Sequence, residues 1–254
     1  MIFLFFNRLY IASSCKSLIF ATYLCVIKKK EESIVVKECT LRLAVEDNPR
    51  ALLIQPVDGH DVEELPNLIG WAEAHTQLPF VHVAVPIRRW NDELTPWPAP
   101  PVFGKTPFGA GAQATLNLIT HDVVPAVCRQ LHLNADLPVI IGGYSLAGLF
   151  ALWAAYNAPF AAAVAASPSV WYERWLEYSA NHKPLAPVVY LSLGDRESHS
   201  RTAIMTTVDR CMRQQYELLQ AQGATVTFES TVGNHFQDNG IRTARGFVYA
   251  LEQI

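Results

Sequence analysis

Apolar positions along this chain fall into two alternating kinds of run. Short, dense runs recur at Ala51 to Val57, Pro79 to Val85, Val139 to Ile141, Ala161 to Ala166, Pro187 to Leu193 and Ala224 to Glu229. Val139 to Ile141 and Ala51 to Val57 suit strands buried on both faces, and the others read as strands. Between them lie longer stretches with helical spacing. Leu65 to Ala74 reads as a short helix, and Ala112 to Leu131 as one amphipathic helix carrying Leu116, Ile119, Val123, Val127 and Leu131. The alanine-rich run that reaches Tyr156 favours helix as well. Arg201 to Gln222 places Ile204, Val208, Met212 and Leu219 on one side and stops at Gly223, a C-terminal cap. A last helix is expected from about Ile241. Strands alternating with helices predict an α/β fold: a mainly parallel central sheet flanked by helices on both faces.

Two regions depart from that rhythm. Ile34 to Val36 and Cys39 to Val45 alternate as strand or hairpin arms, and Asp47-Asn48-Pro49 forms the turn after them. From Ile87 to Gly104 the chain is irregular, and the prolines at 96, 98, 100, 101 and 107 exclude a helix or central strand across them. Long loops in compact domains tend to carry function. Trp90 and Trp97 in this loop, with Trp171 and Tyr172 further on, are candidates to line a substrate cleft. The plainer reading makes these aromatics staples that hold the loop down.

Residues 1–32 form an apolar extension, set apart from a domain at 33–254. Its largest charge cluster, Lys28 to Lys30, comes last, the reverse of a cleaved signal peptide. A poorly ordered extension is expected. The alternative is a weak membrane anchor with those lysines on the cytoplasmic side, and membrane association is expected only through residues 1–30.

Composition narrows the field. Half of the 254 residues are apolar, 17% are charged and the formal net charge is −3. This fits one large enzyme-like domain and argues against disorder and against a nucleic-acid partner. The five cysteines, Cys15, Cys25, Cys39, Cys128 and Cys211, are odd in number and include no CxxC pair. Reduced, unpaired thiols and a cytoplasmic location follow, and no metal or cofactor is called for.

The candidate chemistry centres on Gly142-Gly-Tyr-Ser145-Leu-Ala-Gly148, between a buried strand and a helix. Strand, small-residue turn with a central serine, helix: this is the layout of a nucleophile elbow. A nucleophile on so sharp a turn sits in a strained backbone, so its neighbours must be small. The N–H of Leu146 would donate to an oxyanion. The alternative is an ordinary crossover whose glycines serve tight packing.

Two further loops end strands. Asp195 and Glu197 follow one, and His235 follows the last. In an open parallel sheet all of these ends lie on one edge. A serine needs a base to take its proton, histidine can return that proton to a leaving group, and an acid orients the imidazole. Glu197 is preferred to Asp195, which could instead cap its turn. Gly59 and His60, in the Asp58-Gly-His-Asp61 loop, are candidates for the second oxyanion donor. His199 is a distant second to His235, and His75, His82, His121, His132 and His182 show no functional pattern.

From about residue 50 onward the chain resembles the esterase group of the α/β-hydrolase superfamily, which includes enterochelin-esterase-like, feruloyl-esterase-like and esterase D-like proteins. Gly143-Tyr-Ser-Leu-Ala-Gly148, Ser167-Pro-Ser-Val-Trp171, Leu193-Gly-Asp-Arg-Glu197 and Gly233-Asn-His-Phe236 carry the resemblance. It implies an α/β-hydrolase fold, a serine esterase acting on a small-molecule ester without a cofactor, Ser145 as nucleophile, His235 as base, and Glu197 or Asp195 as acid. Ala147 stands where many relatives have glycine. Acyl transfer on the same fold and a non-catalytic binding domain are the alternatives. Substrate identity and oligomeric state are not legible.

Overall fold

The computed structural model describes residues 30–200 and 202–254. The expectations for residues 1–29, including Cys15 and Cys25, and for the helix start at Arg201 lie outside the described residues. The described chain begins with β1 (Lys30–Val36) and β2 (Cys39–Val45), an antiparallel hairpin. β1 thus starts earlier than the Ile34 expected from its apolar alternation, and earlier than the domain start expected at residue 33, because Lys30 to Glu32 pair with Leu43 to Val45.

Strand β3 (Ala51–Val57) is buried throughout. Helix α1 (Gly59–His75) follows at once, longer than the Leu65–Ala74 expectation. Asp58 explains the difference. Its side chain accepts from the Asp61 N–H, and the Asp61 carboxylate accepts from the Asp58 N–H, so what reads as a loop is a capping box.

After β4 (Phe80–Pro86) and the one-turn α2 (Trp90–Glu93), the proline stretch runs as loop, pinned by a single antiparallel bridge between Ala99 and Phe108. The expected helix over 112–131 forms in three parts: α3 (Ala112–Asn117), a π-helical segment (Leu118–Val123) and α4 (Val124–Gln130). Pro125 lacks an N–H for the α-helical ladder, and the wider turn before it absorbs that loss.

Strand β5 (Val139–Tyr144) leads directly into α5 (Ser145–Asn157). Then come β6 (Ala162–Ala166), α6 (Trp175–Asn181), β7 (Val188–Gly194), a short 3₁₀ segment, α7 (Val208–Ala221), β8 (Thr225–Thr231) and α8 (Asn239–Gln253). Gly223 closes α7 with φ +84°, as the sequence leads one to expect.

The sheet order is β1-β2-β4-β3-β5-β6-β7-β8, parallel from β4 through β8 and antiparallel at the β1–β2 edge. Alternate side chains feed two cores. Leu52 and Ile54 of β3 join the larger one with α3, α4, α5 and α7. Ala51 and Leu53 join the smaller one with Leu68 of α1 and Phe247 and Leu251 of α8. Gly246 lets α8 approach β6 closely: a Cβ there would fall 2.3 Å from Val164. That close seat fixes where the first turn of α8 meets the strand ends. The buried Gln55 and His82 hydrogen-bond across β3 and β4 at 2.9 Å, a structural role for that histidine. No helix among the described residues is long and apolar enough to cross a membrane.

Candidate active site

Ser145 stands at the junction of β5 and α5 with φ +55°, a left-handed conformation that non-glycine residues rarely hold. The turn closes only because its neighbours are small. A Cβ at Gly143 would lie 2.6 Å from the Ala147 methyl, and one at Gly148 would lie 3.1 Å from the Gly143 carbonyl. The methyl of Ala147 therefore occupies the space that Gly143 leaves. The backbone N–H of Ser169, beyond β6, donates to the Ser145 carbonyl at 3.0 Å and anchors the turn from outside.

The loops after β7 and β8 converge on this serine. His235 Nε2 lies 2.9 Å from Ser145 Oγ, across 90 residues of sequence, and His235 Nδ1 lies 2.7 Å from Glu197 Oε2. The two loops are laced together: the N–H of Asp195 donates to the Thr231 carbonyl, and that of Arg196 to the Gly233 carbonyl. Gly194 is required there, because a Cβ would meet the Gly233 carbonyl oxygen at 2.5 Å.

Of the two candidate acids, Glu197 reaches the imidazole. Asp195 accepts from the Gly233 N–H at 2.9 Å and is about half exposed, the turn-capping role. His199 is exposed on the acid loop, and His235 alone of the histidines is hydrogen-bonded to Ser145 in the described residues.

The Glu197 carboxylate is fully enclosed. Its Oε1 accepts from Ser167 Oγ at 2.6 Å, from the Gly194 N–H at 2.8 Å and from Arg242 Nη1 at 2.9 Å. Burial alone would push this carboxyl up. The hydrogen bond and charge of His235, with the donors from Ser167 and Gly194, outweigh burial and hold it below its ordinary 4.5. Tyr144, just before the serine, donates to the His235 carbonyl at 3.0 Å and accepts from Arg242 Nη1 at 2.9 Å. Its burial and the nearby Glu197 charge push its phenol up.

Ser167, Tyr144 and Arg242 join the site although no sequence pattern marks them as site residues. Ser167 does carry a signal after the fact: it follows β6 directly and holds φ +44°. Arg242 sits one turn before Gly246 on the face of α8 that meets the sheet, an unusual place for a charge.

The expected oxyanion donors are distributed as follows. Leu146 lies in the first turn of α5, whose N–H groups have no partner within the helix. Gly59 and His60 occupy the exposed first turn of α1, beside β5 through β3. The capping box uses the Asp61 N–H and leaves those two unused by Asp58.

Two of the four aromatic candidates, Trp97 and Tyr172, tie loops together. Trp97 Nε1 donates to the Glu173 carbonyl at 2.8 Å, and the Tyr172 hydroxyl donates back to the Trp97 carbonyl, tying the proline loop to the segment after β6. Trp171 and Tyr172 also wall a cavity of about 250 Å³ together with Pro100, Val102 and Phe108. Trp90 packs half-buried against the larger core. No group of three or more His, Cys, Asp or Glu side chains among the described residues could hold a metal ion.

A family model described as "Putative esterase" matches residues 58–248, three quarters of the chain and every part of the site. The chain belongs to that esterase family. It is a carboxylic ester hydrolase with the α/β-hydrolase fold. Among solved structures it is similar to siderophore hydrolase EstA from Aspergillus nidulans, with 20% identity over 89% of this chain and 95% of the other, TM-score 0.65. It is also similar to an IroE-like serine hydrolase from Shewanella oneidensis, with 14% identity, 88% and 80% coverage, TM-score 0.72. The enterobactin esterase FES from Shigella flexneri aligns at 16% identity over 90% of this chain and 60% of its own, TM-score 0.66. At such identities the likeness is one of fold. No curated protein sequence matches the chain.

Proposed function

We propose that this esterase works through an acyl-enzyme on Ser145, with His235 as base, Glu197 as orienting acid and a backbone oxyanion hole. The observation that carries the reading is the hydrogen-bonded series from Ser145 Oγ through the His235 ring to Glu197. In the reactive tautomer, Nδ1–H of His235 donates to Glu197 Oε2, leaving Nε2 free to accept the serine proton. Oγ then bonds to the ester carbonyl carbon, and the carbonyl oxygen becomes an oxyanion. The N–H of Leu146, with that of Gly59 or His60, would hold that charge. Collapse breaks the bond to the alkoxy oxygen, which leaves as alcohol with the proton from Nε2. Water repeats the sequence on the acyl-enzyme, and the carboxylic acid departs.

The substrate is a small-molecule ester. Relatives of this fold named for siderophores and enterobactin make such esters reasonable additions to a p-nitrophenyl series. The unpaired thiols of Cys39, Cys128 and Cys211 support a reducing, cytoplasmic setting. The test is hydrolysis of short p-nitrophenyl esters by the wild-type protein and by Ser145→Ala. A drop of at least about a thousandfold is expected. Equal rates would refute Ser145 as the nucleophile.

A further inference from the structure

Arg242 is the largest charged side chain enclosed among the described residues, with 1% of its surface exposed. The proposed chemistry assigns it no step. Nη1 lies within 2.9 Å of the Tyr144 hydroxyl, 3.2 Å of Ser167 Oγ and 2.9 Å of Glu197 Oε1. Nη2 donates to the carbonyls of Val232 and Asn234, at 3.2 and 3.0 Å, which flank Gly233 just before the histidine. Nε is buried without a partner. One planar fork therefore holds the residue before the nucleophile, the acid, and the backbone that presents the base. A lysine could not span these points at once, since its ammonium is a single centre.

We infer that Arg242 is a positioning residue of the site: its guanidinium locks Glu197 to the histidine loop, and its charge balances the carboxylate that orients the His235 imidazole. The inference rests on the esterase reading above. Guanidinium is permanently charged. It binds Oε1 while the imidazole binds Oε2, so the imidazole meets a guanidinium–carboxylate pair of zero net charge. Without the arginine, an enclosed, uncompensated carboxylate would bind a proton jointly with the imidazole more tightly. The base would then be occupied up to higher pH.

Other groups around the pair do not offer the same balance. From β5 comes the Tyr144 hydroxyl, and from the loop after β6 the neutral Ser167. On the acid loop Asp195 turns to the Gly233 N–H, and Arg196 reaches outward to Gln237 at 3.4 Å. On the histidine loop Asp238 is exposed and meets Arg242 through its backbone carbonyl. From α1, Glu64 approaches the backbone of Gly240.

The test follows labelling of the full chain by a fluorophosphonate probe as a function of pH, with kcat and KM on a p-nitrophenyl ester beside it. Wild-type labelling at Ser145 that rises with one acidic limb checks the esterase reading first, before any variant is compared. In Arg242→Met the limb should move up by about one pH unit. In Arg242→Lys it should stay within a few tenths of a unit, while kcat falls several-fold and KM holds. In Glu197→Gln the unbalanced guanidinium should move it down. Adding Arg242→Met to Glu197→Gln should bring it back up. That double variant removes both enclosed charges together and so keeps the question open to measurement should Arg242→Met alone fail to fold. A labelling limb that is unmoved or lowered by loss of Arg242, in either background, would overturn the inference while leaving the esterase reading intact.

Discussion

Two enclosed carboxylates sit at the same edge of the sheet and behave in opposite ways. Glu197, after β7, is held below its ordinary value, although burial opposes this. Asp61, in the first turn of α1 after β3, is pushed up to about 7, first by burial and then by the neighbouring Asp58 charge. The difference lies in the partners. Glu197 receives Ser167, the Gly194 N–H, Arg242 and the imidazole. Asp61 accepts one long bond of 3.3 Å from the Asp58 N–H and faces the acid that caps its own helix. Enclosure alone does not fix the charge of a carboxyl group; the donors built around it do. One loop has the geometry to orient a base, whereas the other has that of a helix cap with a strained acid in it.

The strongest way to break this contrast is Glu197→Ala. Activity should fall by about 10² to 10⁴ because the imidazole loses its orienting acceptor. Stability should drop by about 3–5 kcal/mol because Arg242 is left enclosed and uncompensated. Steady-state kinetics and urea unfolding would read the two losses, and a variant of near wild-type activity would undo the assignment of Glu197.

The pH dependence of stability sharpens the contrast. The folded-state value of Glu197 is depressed, so its contribution is present above 4.5 and fades as pH falls through the lower folded value. Asp61 is the reverse: its contribution is present below 3.8 and is lost as pH rises toward about 7. Asp61→Asn keeps an oxygen for the Asp58 N–H and removes the charge. It should raise Tm by a few degrees at pH 8 and by much less at pH 4, measured by calorimetry. Equal shifts at both would show that Asp61 is not held neutral.

The smallest effect is expected at Asp195→Ala. Loss of one acceptor for the Gly233 N–H should cost about 0.5–1.5 kcal/mol in denaturant unfolding and change kcat less than about fivefold. A loss comparable to that of Glu197→Ala would erase the distinction between the two acids.

The unequal legibility of these regions has a physical origin. The elbow was readable because its determinants are local: a buried strand, small residues within three positions of Ser145, and a helix start. The acid and the histidine were readable because parallel strands place their ends on one edge. Arg242 was not, since it meets Tyr144 across 98 residues and Ser167 across 75, and helical periodicity does not announce such a meeting. Asp58 to Asp61 reads as a loop in the sequence because residues that favour turns also cap helices. The break in the helix over 112–131 traces to Pro125, whose effect a pattern of apolar positions does not register.

The central claim is that Ser145 becomes covalently acylated with help from His235. Mass spectrometry of the intact and digested protein after fluorophosphonate treatment tests it most directly. One adduct is expected, on Ser145, absent in Ser145→Ala and far slower to form in His235→Ala. An unlabelled protein, or an adduct on a different residue, would contradict it.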